Sequence, residues 1–212
     1  MEDALRAFVL HSDAANAGPK PDDRAVAGED SDEQLMLAYA RGEVAAFSAL
    51  FGRYRQPVFG FFRRRVADAA QAEELAQETF LAVVRAAGRY QASALFRTWL
   101  YAIAFRILRA HRRKAAFRAT FLGAPDEAAE PVTAAGQDTA AMMRQAVGRL
   151  DAMDREVLLL REFEQLSYAE IGELLDLPLN TVRSRLFRAR MALHELLAAR
   201  AGASTSANKE AL

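Results

Sequence analysis

The chain has 212 residues, of which 52% are hydrophobic, so it can bury a core in one large domain or two small ones. It contains 0 cysteines and 3 histidines far apart in sequence, which excludes disulfides and thiolate metal sites and gives no support to zinc binding or histidine catalysis. No apolar run approaches the roughly 20 residues that span a bilayer, and the N-terminus lacks the pattern of a secretory signal, so we expect a cytoplasmic protein without membrane insertion.

The formal net charge of +0 conceals an uneven distribution of charge along the chain. Residues 1–30 hold three basic and seven acidic side chains, whereas residues 31–117 hold fourteen basic and seven acidic ones. Residues 179–200 hold five basic side chains and one acidic side chain. Local fields rather than the total charge attract phosphate, so both basic stretches are candidates for nucleic-acid binding.

The first segments in chain order are a leader and two helices. Residues 1–30 show little periodicity and are rich in turn-forming residues, which predicts a flexible leader. A capping-box sequence that begins at Ser31 predicts a short helix over Asp32–Ala40. A longer helix is predicted from about Glu43 to Arg65, because its apolar residues recur at steps of three and four. We expect Pro57 to bend or divide that helix.

Two further helices complete the first domain, which we place at residues 31–117. The third is predicted over Ala69–Ala87 and the fourth from Phe96 to about Lys114, with the loop Arg89–Leu95 between them. Residues 118–138 have the composition of a flexible linker.

A second helical domain is predicted at residues 139–198, followed by a flexible tail at residues 199–212. We find no strand alternation of useful length and no internal repeat. The predicted fold class is therefore all-α, with two small helical domains joined by a flexible linker.

The second domain has the sequence form of a helix-turn-helix. A helix over Asp154–Glu164 carries Val157, Leu160 and Phe163 as its apolar stripe. A second capping box begins at Ser167 and opens a helix predicted over Tyr168–Leu175. Two short helices joined by a tight turn have the sequence form of this motif.

The turn and the last helix follow directly. Asp176-Leu177-Pro178 predicts the turn, because proline disfavours helical backbone in the residue before it. We expect Asn180 to cap the next helix, predicted over Asn180–Arg190.

That last helix has two unlike faces. Val182, Leu186 and Ala189 form an apolar stripe that should pack on the preceding helices. The polar face suits duplex DNA, because arginines bind guanine edges or phosphates and an aromatic ring can contact thymine methyl groups. The alternative is a basic surface helix at the end of a bundle. The candidate DNA-binding residues are Thr181, Arg183, Ser184, Arg185, Phe187, Arg188 and Arg190.

The run REVLLLREFEQLSYAEIGELLDLPLNTVRSRLFRARMAL resembles the C-terminal domain of the extracytoplasmic-function (ECF) sigma factors of bacterial RNA polymerase. In that family this domain, region 4, reads the −35 promoter element. Asn180 stands where the family more often has a glycine, and asparagine tolerates the same backbone conformations. The resemblance assigns the candidate residues above to the −35 element.

The N-terminal half is similar to the other half of the same family, region 2, in the runs AEELAQETFLAVVRAAGRY and FRTWLYAIAFRILRAHRRK. The first run has an acidic and amide helix face that suits a basic partner, although a solvated face is the alternative. The resemblance implies docking on the clamp helices of the largest subunit of core RNA polymerase. The residues assigned to this contact are Glu73, Glu74, Leu75, Gln77 and Glu78.

The second run concentrates aromatic side chains among cations, which suits unstacked single-strand bases and their backbone. The alternative is that Phe96 and Trp99 are core residues. By resemblance, this helix and the loop before it melt the −10 element and hold a flipped base. Phe105-Arg106 and Ala110 depart from the family's usual residues there. The assigned residues are Tyr90, Gln91, Ser93, Phe96, Arg97, Trp99, Arg106, Arg109 and Arg113.

The resemblance covers roughly residues 31–198 and implies a sigma factor that binds core polymerase and promoter DNA, with an anti-sigma factor as a further partner. A conventional helix-turn-helix regulator would share only the C-terminal half. An all-helical enzyme lacks support, since the chain shows no phosphate loop, nucleophile motif or metal-ligand set. We expect no cofactor, no metal and no catalytic residue.

Overall fold

The computed structural model describes residues 30–122 and 139–209 of the chain. These residues form eight α-helices and no strand, and they divide into two compact units at 30–122 and 139–209. The predicted all-α class with two helical domains is therefore confirmed. The predictions for the leader at residues 1–29, for the linker at 123–138 and for 210–212 lie outside the described residues.

The N-terminal unit contains four α-helices and one short 3₁₀ helix. They are α1 (Asp32–Ala40), α2 (Val44–Arg63), α3 (Ala69–Ala86), the 3₁₀ helix Ala87–Arg89 and α4 (Phe96–Leu122).

Side chains next to the helix starts fix the first turns of α1 and α3. The predicted capping box is formed, with the Gln34 N–H donating to Ser31 Oγ at 3.2 Å and the Ser31 N–H donating to Gln34 Oε1 at 2.8 Å. Asp68 accepts from the N–H groups of Ala70 and Gln71 at 3.3 and 3.2 Å. Each cap satisfies donors that the helix itself leaves unpaired and contributes about 1 kcal/mol.

The core of this unit is built from apolar residues of all four helices. Burial of a large apolar side chain contributes roughly 1.5–3 kcal/mol, so this core dominates the stability of the unit. The side chains exposed by at most 1% of their surface include Met36, Leu50, Val58, Phe61, Phe62, Val83, Phe96, Leu100 and Leu108.

Two helices of the N-terminal unit differ from their predicted form. Pro57 lies inside α2, which continues to Arg63, so the helix is not divided there. The helix α4 continues to Leu122, beyond both the predicted end at Lys114 and the predicted domain limit at residue 117. The extension is alanine-rich, and alanine is the strongest helix former. The first helix-breaking residue after it is Gly123.

The C-terminal unit contains the remaining four helices, α5 (Thr139–Gly148), α6 (Ala152–Glu162), α7 (Tyr168–Leu175) and α8 (Leu179–Lys209). The bounds of α7 are those predicted. The helices α6 and α7 pack against α8, and the core between them includes Val157, Leu158 and Leu160 of α6, Leu166 of the connecting segment and Ile171 of α7.

The helix α6 begins two residues earlier than predicted, because Asp151 caps it by accepting from the N–H groups of Met153 and Asp154 at 3.0 and 3.2 Å. Phe163 is the residue after its end, and 54% of its surface is exposed. The placement of Phe163 in the apolar stripe was therefore wrong.

The helix α8 differs from the prediction at both ends. It begins at Leu179, and the Pro178 carbonyl accepts from the N–H of Val182 at 3.1 Å, so Pro178 rather than Asn180 takes the capping position. It continues to Lys209, so most of the predicted flexible tail has helical backbone. Proline is absent from this extension and alanine is frequent, which favours helix.

Candidate nucleic-acid interface

Local backbone features define both ends of α7. The second predicted capping box is formed, with the Ser167 N–H donating to Glu170 Oε2 at 2.6 Å and the Glu170 N–H donating to Ser167 Oγ at 3.3 Å. At the other end of α7, Asp176 adopts left-handed backbone with φ 56°. This conformation ends α7 and redirects the chain into α8.

Gly172 makes the turn between α7 and α8 possible, although no sequence pattern pointed to it. Its carbonyl accepts from the N–H of Leu177 at 2.9 Å. A Cβ atom at Gly172 would lie 2.8 Å from the Leu177 carbonyl oxygen. A side chain there would therefore push the turn away from α7.

The inner face of α8 is apolar, as predicted. Val182, Leu186, Ala189 and Leu193 are exposed by 0%, 1%, 1% and 2%. They recur at steps of three and four and so lie on one stripe of the helix. The stripe fixes which side chains of α8 face outward.

The outer face of α8 combines a cation, a hydroxyl and an aromatic ring. Arg183 and Ser184 are exposed, and 66% of the surface of Phe187 is exposed. The Ser184 hydroxyl donates to the Thr181 carbonyl at 3.0 Å. Arg183 and Phe187 are one turn apart, so the same side of α8 offers a cation and an apolar ring to a ligand.

The other three predicted arginines make ion pairs inside the unit. Arg185 Nη1 lies 2.8 Å from Asp154 Oδ1, and Arg188 Nε lies 3.1 Å from Asp154 Oδ2. Arg190 Nη2 lies 2.8 Å from Glu162 Oε1. These contacts fasten α8 to α6, and neither acidic partner was predicted from the sequence.

The charge of Asp154 is maintained by these arginines. Burial alone would raise the pKa of Asp154, but the hydrogen bonds and positive charges of Arg188 and Arg185 outweigh it and lower the pKa below its ordinary value. Asp154 is therefore a carboxylate at neutral pH, and the pairs are fully charged.

In the N-terminal unit, four aromatic rings form one cluster at the start of α4. The ring centroids of Tyr90 and Trp99 lie 5.1 Å apart, those of Tyr90 and Phe96 6.1 Å, and those of Tyr54 and Phe96 5.3 Å. Phe96 and Tyr90 are exposed by only 1% and 6%, whereas Trp99 is partly exposed. Of the three predicted aromatic residues Tyr90, Phe96 and Trp99, Trp99 is therefore the one with part of its surface accessible to a ligand.

Polar contacts hold this cluster and the loop before α4 in place. The Tyr90 hydroxyl donates to the Ala94 carbonyl at 3.2 Å, which closes the loop. Burial, followed by the charges of Glu33 and Asp32, raises the pKa of Tyr90 to about 12, so this donor is protonated at neutral pH. Glu33 also accepts from the Phe96 N–H at 2.8 Å and thereby caps α4 from a distant part of the chain.

The remaining predicted −10 residues lie on the loop before α4 and along α4. Gln91 and Ser93 are exposed on the loop, and Arg97, two residues before Trp99, is partly buried. Three predicted arginines, Arg106, Arg109 and Arg113, are exposed further along α4 and share one face of the helix.

The predicted polymerase-binding face lies on α3. Four of its five residues are exposed, namely Glu73, Glu74, Gln77 and Glu78. Leu75 is 4% exposed and belongs to the core, so its side chain is not available to a partner. The exposed side chain of Leu81, at 55%, continues the same face and was missed.

Both halves of the chain match known families. Residues 50–118 match the model described as Sigma-70 region 2, and residues 140–193 match the model described as Sigma-70, region 4. The RNA polymerase sigma-H factor of Pseudomonas aeruginosa is 34% identical over 183 residues, which cover 80% of this chain and 95% of that protein. The ECF RNA polymerase sigma factor SigC of Mycobacterium tuberculosis is 35% identical, over 75% of this chain and 87% of that protein.

The chain belongs to the ECF sigma factors. The region 2 match of this sigma factor includes α3 and the aromatic cluster at the start of α4. Its region 4 match includes the helix-turn-helix of α7 and α8.

Solved structures have the same fold as this sigma factor. CnrH in complex with the cytosolic domain of CnrY matches with a TM-score of 0.60 at 25% identity, over 80% of this chain and 99% of that chain. The sigma factor RpoE of Bartonella quintana, solved with the anti-sigma factor NepR, matches with a TM-score of 0.61 at 23% identity, over 71% of this chain and 96% of that chain. No helix in residues 30–122 or 139–209 is long and apolar enough to cross a membrane.

Proposed function

We propose that this ECF sigma factor directs promoter-specific initiation by binding rather than by catalysis, with core RNA polymerase performing the chemistry. The observation that carries this proposal is the pair of matched regions, which together present surfaces suited to three steps. Region 4 presents the outer face of α8, and region 2 presents the aromatic cluster, the basic face of α4 and the acidic face of α3. Because the polymerase and the chromosome lie in the cytoplasm, we infer that the chain acts there.

The first proposed step is binding of the −35 element by α8. The major groove of duplex DNA is about 12 Å wide and admits one α-helix. The apolar stripe of α8 keeps Arg183, Ser184 and Phe187 on the side away from the core. Their chemistry suits guanine edges, phosphate oxygens and thymine methyl groups, respectively.

The second proposed step is capture of the −10 element by region 2. Trp99 offers a partly exposed ring for stacking, and Gln91 and Ser93 offer polar groups on the loop beside it. Stacking of a base on an aromatic side chain contributes about 1–3 kcal/mol, which offsets part of the cost of unstacking that base. The arginines along α4 would bind the phosphates of the same strand.

The third proposed step is docking on the clamp helices of the largest polymerase subunit. The exposed residues Glu73, Glu74 and Glu78 give α3 a negative face. Gln77 adds an amide and Leu81 an apolar contact at the end of that face. An acidic rim beside an exposed leucine suits a basic partner helix with an apolar stripe.

We also propose that a protein inhibitor, an anti-sigma factor, covers these surfaces. The support is the similarity to CnrH, which was solved in complex with the cytosolic domain of CnrY. Gel filtration of the chain with core polymerase, in the presence and absence of candidate binding proteins encoded beside it, would test this proposal. Failure of every candidate to reduce polymerase binding would contradict it.

The central proposal is tested by run-off transcription with core polymerase on a genomic library. We expect discrete start sites that depend on the chain and disappear when the upstream element is scrambled. A helix-turn-helix regulator would bind DNA but would not co-elute with core polymerase or start transcription. Failure of the chain to co-elute with core polymerase, or failure to start transcription, would contradict the proposal.

A further inference from the structure

Asp154 is a nearly buried carboxylate in the first turn of α6, and it faces the recognition helix α8. It is 7% exposed. Its Oδ1 atom accepts from Arg185 Nη1 at 2.8 Å and from Arg188 Nη2 at 3.2 Å, and its Oδ2 atom accepts from Arg188 Nε at 3.1 Å. Both carboxylate oxygens are therefore occupied by arginines one turn apart on α8.

The two arginines are held in different ways. Arg185 keeps 26% of its side chain exposed and also lies 3.7 Å from Asp151, so it fastens α8 to α6. Arg188 keeps 55% of its side chain exposed and meets Asp154 along its Nε–Nη2 edge. Its Nη1 atom makes no hydrogen bond to any other described residue, so donors remain for an external ligand.

Arg188 lies beside Phe187 and one turn after Ser184, so it borders the outer face of α8. A free arginine side chain populates many rotamers and loses that freedom when it binds a base edge. A guanidinium already fixed along one edge by a buried carboxylate loses less. The same carboxylate offsets positive charge, which weakens general attraction to phosphate.

We propose that Asp154 is a positioning residue for promoter reading, which holds the Arg188 guanidinium in the orientation that recognises the upstream element. The inference rests on the proposed function of α8 in binding the −35 element. Its consequence is a specificity device: Asp154 raises the preference for the correct sequence while lowering the affinity for DNA of any sequence.

The chain offers a matched control in a second ion pair between the same two helices. Glu162 Oε1 lies 2.8 Å from Arg190 Nη2, with side-chain exposures of 26% and 23%. This pair also joins α6 to α8, but its arginine is much less exposed than Arg188. Loss of the Glu162 charge should therefore weaken the contact between α6 and α8 without changing the preference for the upstream element.

The test uses the full chain bound to core polymerase and one promoter found by run-off transcription. Affinity is measured for that promoter and for the same duplex with a scrambled upstream element. We expect Asp154→Asn to lower the preference between the two duplexes roughly tenfold, the scale of one lost arginine–base contact. Its affinity for the scrambled duplex should stay equal or rise, because two arginines lose their counter-charge. Glu162→Gln should leave the preference within about twofold.

A double-mutant cycle separates positioning from a purely structural role. In the background of Arg188→Ala, the further change Asp154→Asn should alter the preference little, since the positioned group is already absent. The proposal is overturned if the reductions in preference caused by Arg188→Ala and Asp154→Asn multiply in the double variant. It is also overturned if Asp154→Asn lowers the affinity for both duplexes equally.

A second variant keeps the proposal testable if Asp154→Asn does not fold. Arg188→Lys retains the positive charge but cannot hold the carboxylate with two nitrogens, and its half-exposed site tolerates the change. It should lose the same preference, and full retention would overturn the proposal. If the unchanged chain itself shows no preference for the intact upstream element, then the proposed function of α8 fails, whatever the role of Asp154.

Discussion

The two candidate DNA-binding regions carry their aromatic side chains in opposite ways. In region 4, Phe187 is 66% exposed on a helix whose other face is fully buried. In region 2, Phe96 and Tyr90 are buried, and Trp99 rests on both rings with part of its surface exposed. Reading of a closed duplex needs side chains that project from a fixed helix. Capture of a single base needs one accessible ring that is supported by buried neighbours. The aromatic cluster has that arrangement, with Trp99 packed on Phe96 and Tyr90.

The largest expected effect tests this contrast directly. We expect Phe96→Ala to destabilise the N-terminal unit by about 3–5 kcal/mol, because it empties a fully buried site under Tyr90 and Trp99. Thermal unfolding of the full chain measures the change. Phe187→Ala is the matched control and should shift unfolding very little, since its ring is exposed. Equal destabilisation by the two variants would remove the contrast between the two regions.

The next effect concerns the turn that sets α8 on α7. Gly172→Ala should destabilise the C-terminal unit by about 1–3 kcal/mol and weaken binding of the upstream element, because its Cβ would lie 2.8 Å from the Leu177 carbonyl oxygen. Gly52→Ala serves as the control, since nothing lies within 4 Å of a Cβ there. Wild-type unfolding and DNA binding of Gly172→Ala would show that the turn tolerates a side chain.

A third change separates the two regions by function. Arg188→Ala should weaken binding of the upstream element roughly tenfold, the scale of one lost arginine–base contact. Binding to core polymerase should be unchanged, because that contact is proposed for α3 in the other unit. A pull-down with core polymerase and a promoter-binding assay measure the two properties. Equal loss of polymerase binding and of upstream-element binding would contradict the assignment of these two functions to different units.

The smallest effect is a pH dependence of the contact between α6 and α8. Because the pKa of Asp154 is lower in the folded chain than its ordinary value of 3.8, its stabilising contribution is complete above that value and is lost as the pH falls below it. The difference in melting temperature between the wild type and Asp154→Asn should therefore shrink on acidification below about pH 4. A difference that stays constant down to pH 2 would show that the charged pair adds nothing to stability.

Helical periodicity predicted the fold well wherever one face of a helix is apolar. The bounds of α1 and α7 agree with the structure, because a capping box marks each start locally. The ends of α4 and α8 were predicted too early, since alanine-rich sequence continues a helix without adding an apolar stripe.

The two candidate sites were predictable to different extents, because only on α8 does the sequence pattern separate buried from exposed residues. On α8, the apolar stripe identifies the outward residues, so Arg183 and Phe187 could be found from sequence alone. Aromatic residues near α4 suit both a core and a base-binding surface, so their burial needed the structure. Long-range partners such as Glu33 and Asp154 left no signal, because they act on residues far away in the sequence.

The most direct test of the central claim is in vitro transcription with purified chain and core RNA polymerase on a promoter found by run-off mapping. We predict initiation at one position that requires the chain, is lost when either the −10 or the −35 element is scrambled, and falls steeply as salt rises. Initiation that is unaffected by scrambling both elements, or that occurs equally without the chain, would contradict its function as a promoter-reading sigma factor.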